Sequence, residues 1–353
     1  MPTNRREETT EPADPVSWLL ASGEPAIRRL VRQDLLDMPD GESTEHVLAG
    51  PLVRGLFAGQ RTDGGFGNHP YAKWTGSFWR VIALVELGVQ AGEPRAVAAA
   101  RHAVGWVTSP DRHAGAGLVS GRERRHAAHE GLMVGVCARL GLAAEPTSAL
   151  MARQLVEWQW PDGGWNCDPR PAARHSSFHE SIWPAWGLWE YARATGDGEA
   201  RRAALRTADL VLSRRVFRSR RAGDVVHPSW ASLHYPPYWH YDVLAALLVL
   251  GRMGVLRDPR CTDALELLER RRLRDGRWRP GGYWWKPPGG DGTGIEAVDW
   301  GRAGPNEMIT LNALRVLRGA GRFDPRKPEL TCPAPGASAS RSARPRNRTR
   351  GLR

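Results

Sequence analysis

The chain contains no run approaching about 18 apolar residues, so nothing in it reads as a membrane-spanning helix. Its opening, MPTNRREETTEPADP, lacks the apolar stretch that follows the charges of a signal peptide. A cytoplasmic protein without a transmembrane segment is the expectation. Cysteine is scarce: Cys137, Cys167, Cys261 and Cys332 lie far apart in 353 residues, which excludes a disulfide framework and a compact zinc knuckle. Strand-like alternation is almost missing. The glycine-rich AGAGLVSG at 114–121 follows no predicted strand and lacks the Gly-Lys-Ser/Thr ending of a phosphate-binding loop, so it reads as a flexible inter-helix loop.

Acidic residues are outnumbered, giving a formal charge of +12, but the excess is uneven. Residues 326–353 hold eight Lys or Arg against the single acid Glu329, which is +7 of the +12. Pro, Ser, Ala and Arg dominate that segment and offer little to bury, so it reads as a disordered basic tail, and residues 1–14 as a disordered N-terminus. A nucleic-acid partner would rest on the tail alone and is disfavoured. Residues 15–325 read as one domain.

What the chain has in abundance is helical periodicity. Helices are predicted over 25–37, 44–59, 75–88, 95–108, 127–140, 147–160, 178–194, 199–214, 239–253, 261–273 and 306–319. Segments such as GLMVGVCARLG and VLAALLVLGRMG are apolar nearly all round, whereas EPRAVAAARHAVGWV and CTDALELLERRRL carry one apolar stripe. The first kind suits inner helices covered on every side, the second an outer layer with a solvent face.

A turn recurs between these helices. Gln60-Arg-Thr-Asp63-Gly-Gly-Phe66, Gln159-Trp-Pro-Asp162-Gly-Gly-Trp165 and Asp275-Gly276-Arg-Trp278 each follow a helical stretch and lead into another. Their aspartates stand 99 and 113 residues apart, room for two units of about 50 each. Asp63, Asp162 and Asp275 read as structural: the carboxylate accepts local backbone donors, glycine supplies positive φ, and the aromatic packs back on the helix pair. These Gln-to-aromatic segments resemble the Gln-Trp repeats of the squalene cyclase and protein prenyltransferase β-subunit superfamily, over roughly residues 44–320. The resemblance implies an all-α (α/α) toroid of about five to six helix pairs, in inner and outer rings around a central cavity. It implies a terpene cyclase- or prenyltransferase-like enzyme acting on a hydrophobic, isoprenoid-type substrate, or else a non-catalytic toroidal binding or scaffold protein. The Asp-x-Asp-Asp string of protonation-driven cyclases is missing, and Cys167-Asp168 reverses and closes up the Asp-x-Cys zinc pair of the prenyltransferases.

Site residues must therefore come from this chain's own pattern. Four inner helices open on His129-Glu130, His179-Glu180, His240-Tyr241-Asp242 and Asn306-Glu307. On one rim of a ring these groups would converge, although acids in a first helical turn are also favoured by the helix dipole alone. Two chemistries follow. His129, His179 and His240, with Cys167 and Asp168 as secondary candidates, would bind a divalent metal such as Zn or Mg. Alternatively Glu130, Glu180 and Asp242 would act as acids, each crowded carboxylate raising its neighbour's pKa, with His179 as base. Trp183, Tyr238, Trp239 and Tyr241 are candidates to line the substrate cavity, the last three from the aromatic segment HPSWASLHYPPYWHYD at 227–242. A second aromatic loop, RPGGYWWKPPGGDG at 279–292, holds Trp284 and Trp285 as a candidate lid.

Overall fold

A computed structural model describes residues 14–38, 41–114, 117–219 and 223–327; the expected terminal segments fall outside these residues except for Asp14 and Arg326–Lys327. Fourteen α-helices are found among the described residues. They are α1 (Pro15–Leu20), α2 (Pro25–Asp34), α3 (Thr44–Ala49), α4 (Pro51–Phe57), α5 (Ser77–Glu86), α6 (Pro94–Val107), α7 (Pro110–Ala114), α8 (Ala127–Arg139), α9 (Pro146–Trp158), α10 (Phe178–Thr195), α11 (Gly198–Leu212), α12 (Val243–Arg252), α13 (Thr262–Arg270) and α14 (Glu307–Gly319).

Many of the boundaries have a local cause. Proline, which needs no intrahelical donor at the first position, opens α1, α2, α4, α6 and α9. Asp197 caps α11 by accepting from the Glu199 and Ala200 N–H groups at 2.8 and 2.9 Å. The single helix expected over 44–59 is two, because Gly50 leaves the helical backbone and Pro51 starts afresh. The loop expected at 114–121 instead contributes Gly117–Val119 to a two-stranded antiparallel hairpin with Arg122–Arg124.

Helix pairing follows the burial pattern. α5 packs on α6, α8 on α9, α10 on α11 and α12 on α13, while α5, α8, α10, α12, α14 and α2 touch in succession. The first members are buried almost all round: α10 buries thirteen of its eighteen residues, including Trp183, Trp186 and Trp189. Their partners bury one stripe, as in α11, where Ala200, Ala203, Ala204, Thr207, Ala208, Val211 and Leu212 face inward. This is a helical-repeat arrangement. The C-terminal turns of α2, α5, α8, α10, α12 and α14 all border one cavity of about 990 Å³.

The recurring turn holds each pair together. Gln159 Nε2 donates to the Gly163 and Ala203 carbonyls at 3.0 and 2.9 Å and to Thr207 Oγ1 at 3.1 Å, tying the end of α9 to α11. Gln60 does the same between α4 and α6, reaching the Arg95 carbonyl at 2.8 Å. Asp63 and Asp275 accept from the backbone two residues on, at Gly65 and Arg277, and Asp162 accepts from Ser176 N–H at 2.9 Å. Gly64, Gly163 and Gly276 have φ of 84°, 96° and 79°, which a side chain would strain. Trp165 and Trp278 then each donate an indole N–H to a carbonyl ten residues back, Leu155 at 3.0 Å and Leu268 at 2.8 Å.

Candidate metal centre

The first turns of α8 and α10 lie side by side, because glycine lets their backbones approach. A Cβ on Gly187 would stand 2.0 Å from the Gly131 carbonyl oxygen, and one on Gly131 would stand 2.4 Å from Pro184 Cα. That contact brings His126, the residue capping α8, to Glu180 in the first turn of α10. The His126 Nδ1–H donates to Glu180 Oε1 at 3.3 Å, and the Ala128 N–H donates to Glu180 Oε2 at 3.0 Å. Cys167, in the loop before α10, completes the group: donor atoms of His126, Cys167 and Glu180 all lie within 4.8 Å of one another. The Glu180 side chain is 12% exposed and His126 59%, so the cluster is anchored in the fold yet open to solvent.

The electrostatics are those of a tightly coupled group. The Glu180 hydrogen bond raises the His126 pKa against the opposing effect of burial. Burial, followed by the Glu180 charge, pushes the Cys167 thiol up to about 12. Next to the cluster, Arg112 Nη2 sits 3.2 Å from both Glu130 oxygens, an ion pair 11% and 3% exposed. Burial raises the Glu130 pKa, and Arg112 works against that rise. Arg112 also covers the Trp106 ring at 4.9 Å.

The remaining residues singled out from the sequence occupy other settings. His129 is buried in a cage of Tyr71, Phe78 and Trp106, with ring centroids 4.9, 5.5 and 5.7 Å away, and burial holds its pKa well below the ordinary value. Its ring lies 5.6 Å from that of His126. His179 accepts the Tyr241 N–H on Nδ1 at 3.0 Å, and burial lowers its pKa. His240 is stacked between Trp239 and Trp284 at 3.9 and 4.0 Å, where burial lowers its pKa to about 4. The rings of His179 and His240 are 6.5 Å apart. Asp242 is fully engaged, accepting from Ala245 N–H at 2.8 Å as the α12 cap and from the backbone N–H and Nδ1–H of His234 at 3.0 and 2.9 Å. Asp168 forms an ion pair with Arg170, which brings its pKa down to about 2.

The aromatic loop 227–242 packs into the interior near these helix starts. Tyr238 stacks on Trp74 with centroids 3.5 Å apart and hydrogen-bonds the buried Glu296 carboxyl through its hydroxyl. Tyr241 donates to the Val216 carbonyl at 2.5 Å. Trp183 and Tyr238 border a void of about 30 Å³ together with Trp79 and Glu296, and Trp183 borders a second of about 20 Å³. Trp285 donates to the Tyr235 carbonyl at 3.1 Å, pinning the second aromatic loop onto the first.

Sequence reasoning missed His126, Arg112 and Glu296. For His126 a signal existed: in His126-Ala-Ala-His129 the three-residue spacing places both rings near one helix face, whereas attention to His-Glu pairs selected only the second. Arg112 and Glu296 sit in segments without a repeated pattern and are brought in by tertiary contact. No protein family model matches the chain. No curated protein matches it either.

Proposed function

We propose that the protein is a zinc-dependent enzyme on a closed α/α toroid, with its chemistry at the rim formed by the first turns of α8 and α10. The observation that carries this reading is the gathering of imidazole, thiol and carboxylate donors from His126, Cys167 and Glu180 within 4.8 Å. Tetrahedral zinc with bonds of about 2.0–2.3 Å needs donors roughly 3.3–3.8 Å apart, so a contraction of about 1.5 Å at most would close the site. A thiolate and an imidazole favour zinc over magnesium, which takes oxygen ligands. Thiolate and carboxylate together neutralise a divalent ion, while Arg112 is already balanced by Glu130. Three protein ligands leave a fourth position for water or a substrate atom, where zinc supplies Lewis acidity. The cage of Tyr71, Trp106 and His129 beside it offers an apolar wall for a hydrophobic substrate. Substrate at the rim fits the interior better than substrate at the ring's centre, since voids of about 30 and 20 Å³ hold little more than water.

The same filled interior favours a second reading, a toroidal binding protein in which the metal is structural. Metal analysis tests the shared premise. Purified full-length protein saturated with Zn²⁺ and then desalted is expected to retain about one zinc per chain. Cys167→Ser and Glu180→Gln are expected to lose it, and Cys137→Ala, a buried thiol elsewhere, to keep it. Retention of zinc by both site variants, or its absence from the wild type, would remove the metal centre.

A further inference from the structure

We infer a second binding site at the opposite rim, in the cavity of about 990 Å³ bordered by the C-terminal turns of the six successive helices. Its ligand class is a small organic oxyanion, such as a phosphate ester, that also carries an amino or hydroxyl donor. Seven arginines and three acids line this cavity. Some of that positive charge is the ordinary complement of helix C-termini. Five of the arginines are engaged, among them Arg252 with Glu86 at 3.2 Å and Arg139 with Glu190 at 3.9 Å. Arg193 and Arg257 make no ion pair among the described residues and stand exposed at the cavity wall, able to close on an oxyanion through planar forks of N–H donors.

The donor requirement comes from the cavity's buried side. Glu190 is 5% exposed, and its Oε1 has no hydrogen-bond partner; the Nε1–H of Trp186, a residue 2% exposed, has none either. Both residues line the cavity. A buried carboxylate oxygen without a donor is costly, so an occupant that supplies one gains from Glu190 while its oxyanion meets the arginines. A simple inorganic anion would satisfy only one end. The volume falls within the range of small-molecule pockets, about 300–1,000 Å³.

Calorimetric titration of the full-length protein with phosphoethanolamine and with inorganic phosphate tests the assignment. Phosphoethanolamine is expected to bind at least tenfold more tightly, because its ammonium reaches Glu190. The double variant Arg193→Gln/Arg257→Gln is expected to weaken it at least tenfold, and Glu190→Gln to erase the preference over phosphate. Binding that survives the double variant unchanged, as contact with the basic tail would, overturns the assignment. So does equal affinity for the two probes, or no binding of either. Cys167→Ser is expected to leave these affinities unchanged, which separates this site from the zinc centre at the other rim.

Discussion

One substitution, made at two glycines, should have opposite effects on stability. Gly187 lies inside α10, where an added Cβ meets the Gly131 carbonyl oxygen at 2.0 Å and its carbon at 2.9 Å. The obstacle is the backbone of a buried helix, so relief requires α8 and α10 to separate rather than a side chain to rotate. Overpacking of this kind costs about 1–3 kcal/mol or more, and alanine returns roughly 1 kcal/mol of helix propensity. With a contact this short the upper end applies, and Gly187→Ala should lose about 2 kcal/mol net. At about 2.1 cal/mol/K per residue over roughly 300 folded residues, each kcal/mol moves the thermal midpoint by about 1.6 °C, so it should fall by about 3 °C. Gly105 in α6 is exposed, and a Cβ there meets nothing within 4 Å, so Gly105→Ala should gain about 0.5–1 kcal/mol and raise the midpoint by about 1–2 °C. Circular dichroism melts of both variants at one concentration and scan rate are the assay. A Gly187→Ala protein as stable as wild type would refute the close approach of the two helices, and with it the geometry that brings His126 to Glu180. Zinc affinity in the same variant should drop along with stability, since the two ligands sit on the two displaced helices.

Further outcomes follow from other groups. Burial raises the Glu296 carboxyl from 4.5 to about 7, so the native state holds its proton where the unfolded chain has released it. The stability from this group is complete below pH 4.5 and lost as pH rises to about 7, by roughly 3 kcal/mol, and Glu296→Gln should flatten that decline in a pH series of denaturant melts. Gln159→Ala should cost about 2 kcal/mol, as three acceptors between α9 and α11 lose a shared donor; Gln60→Ala, with fewer close partners, should cost about 1 kcal/mol. Neither glutamine variant should change zinc stoichiometry, and a loss there would tie the turn to the metal site.

How far the sequence reaches depends on whether information is local. The Asp-Gly-aromatic turns were legible because most of their parts act nearby in sequence: a carboxylate accepting two residues on at Asp63 and Asp275, a glycine at positive φ and an indole reaching ten residues back, whereas the Asp162 bond to Ser176 and the reach of Gln159 to α11 were not legible. Several helix starts were legible through prolines and capping side chains, as at α2, α6, α9 and α11, but the starts of the short helices α1, α4 and α7 were missed although each opens on proline. The start of α12 was misplaced by four residues because the aromatic Trp239 and Tyr241 extend the apolar pattern yet belong to the preceding loop, with Asp242 as the cap. The hairpin after α7 was hidden by its brevity, three residues on each side.

The helix starts show where local reading stops. Four inner helices do begin with polar groups, but sequence periodicity cannot say which neighbours stand close enough to act together. Distances separate them: His126 and Glu180 share a hydrogen bond, His179 and His240 form a second pair 6.5 Å apart, and Asp242 turns inward to hold His234. The deciding feature is the close packing of α8 and α10 across Gly131 and Gly187, two residues without side chains and therefore without any chemical signal of their own. A helical repeat multiplies candidate sites, and a glycine contact between one pair of helices singles out one of them. The cavity at the helix C-termini follows the same logic in reverse. Arginine in a last helical turn is too common to mark a ligand, and only the buried Glu190 oxygen without a donor distinguishes this set from ordinary capping.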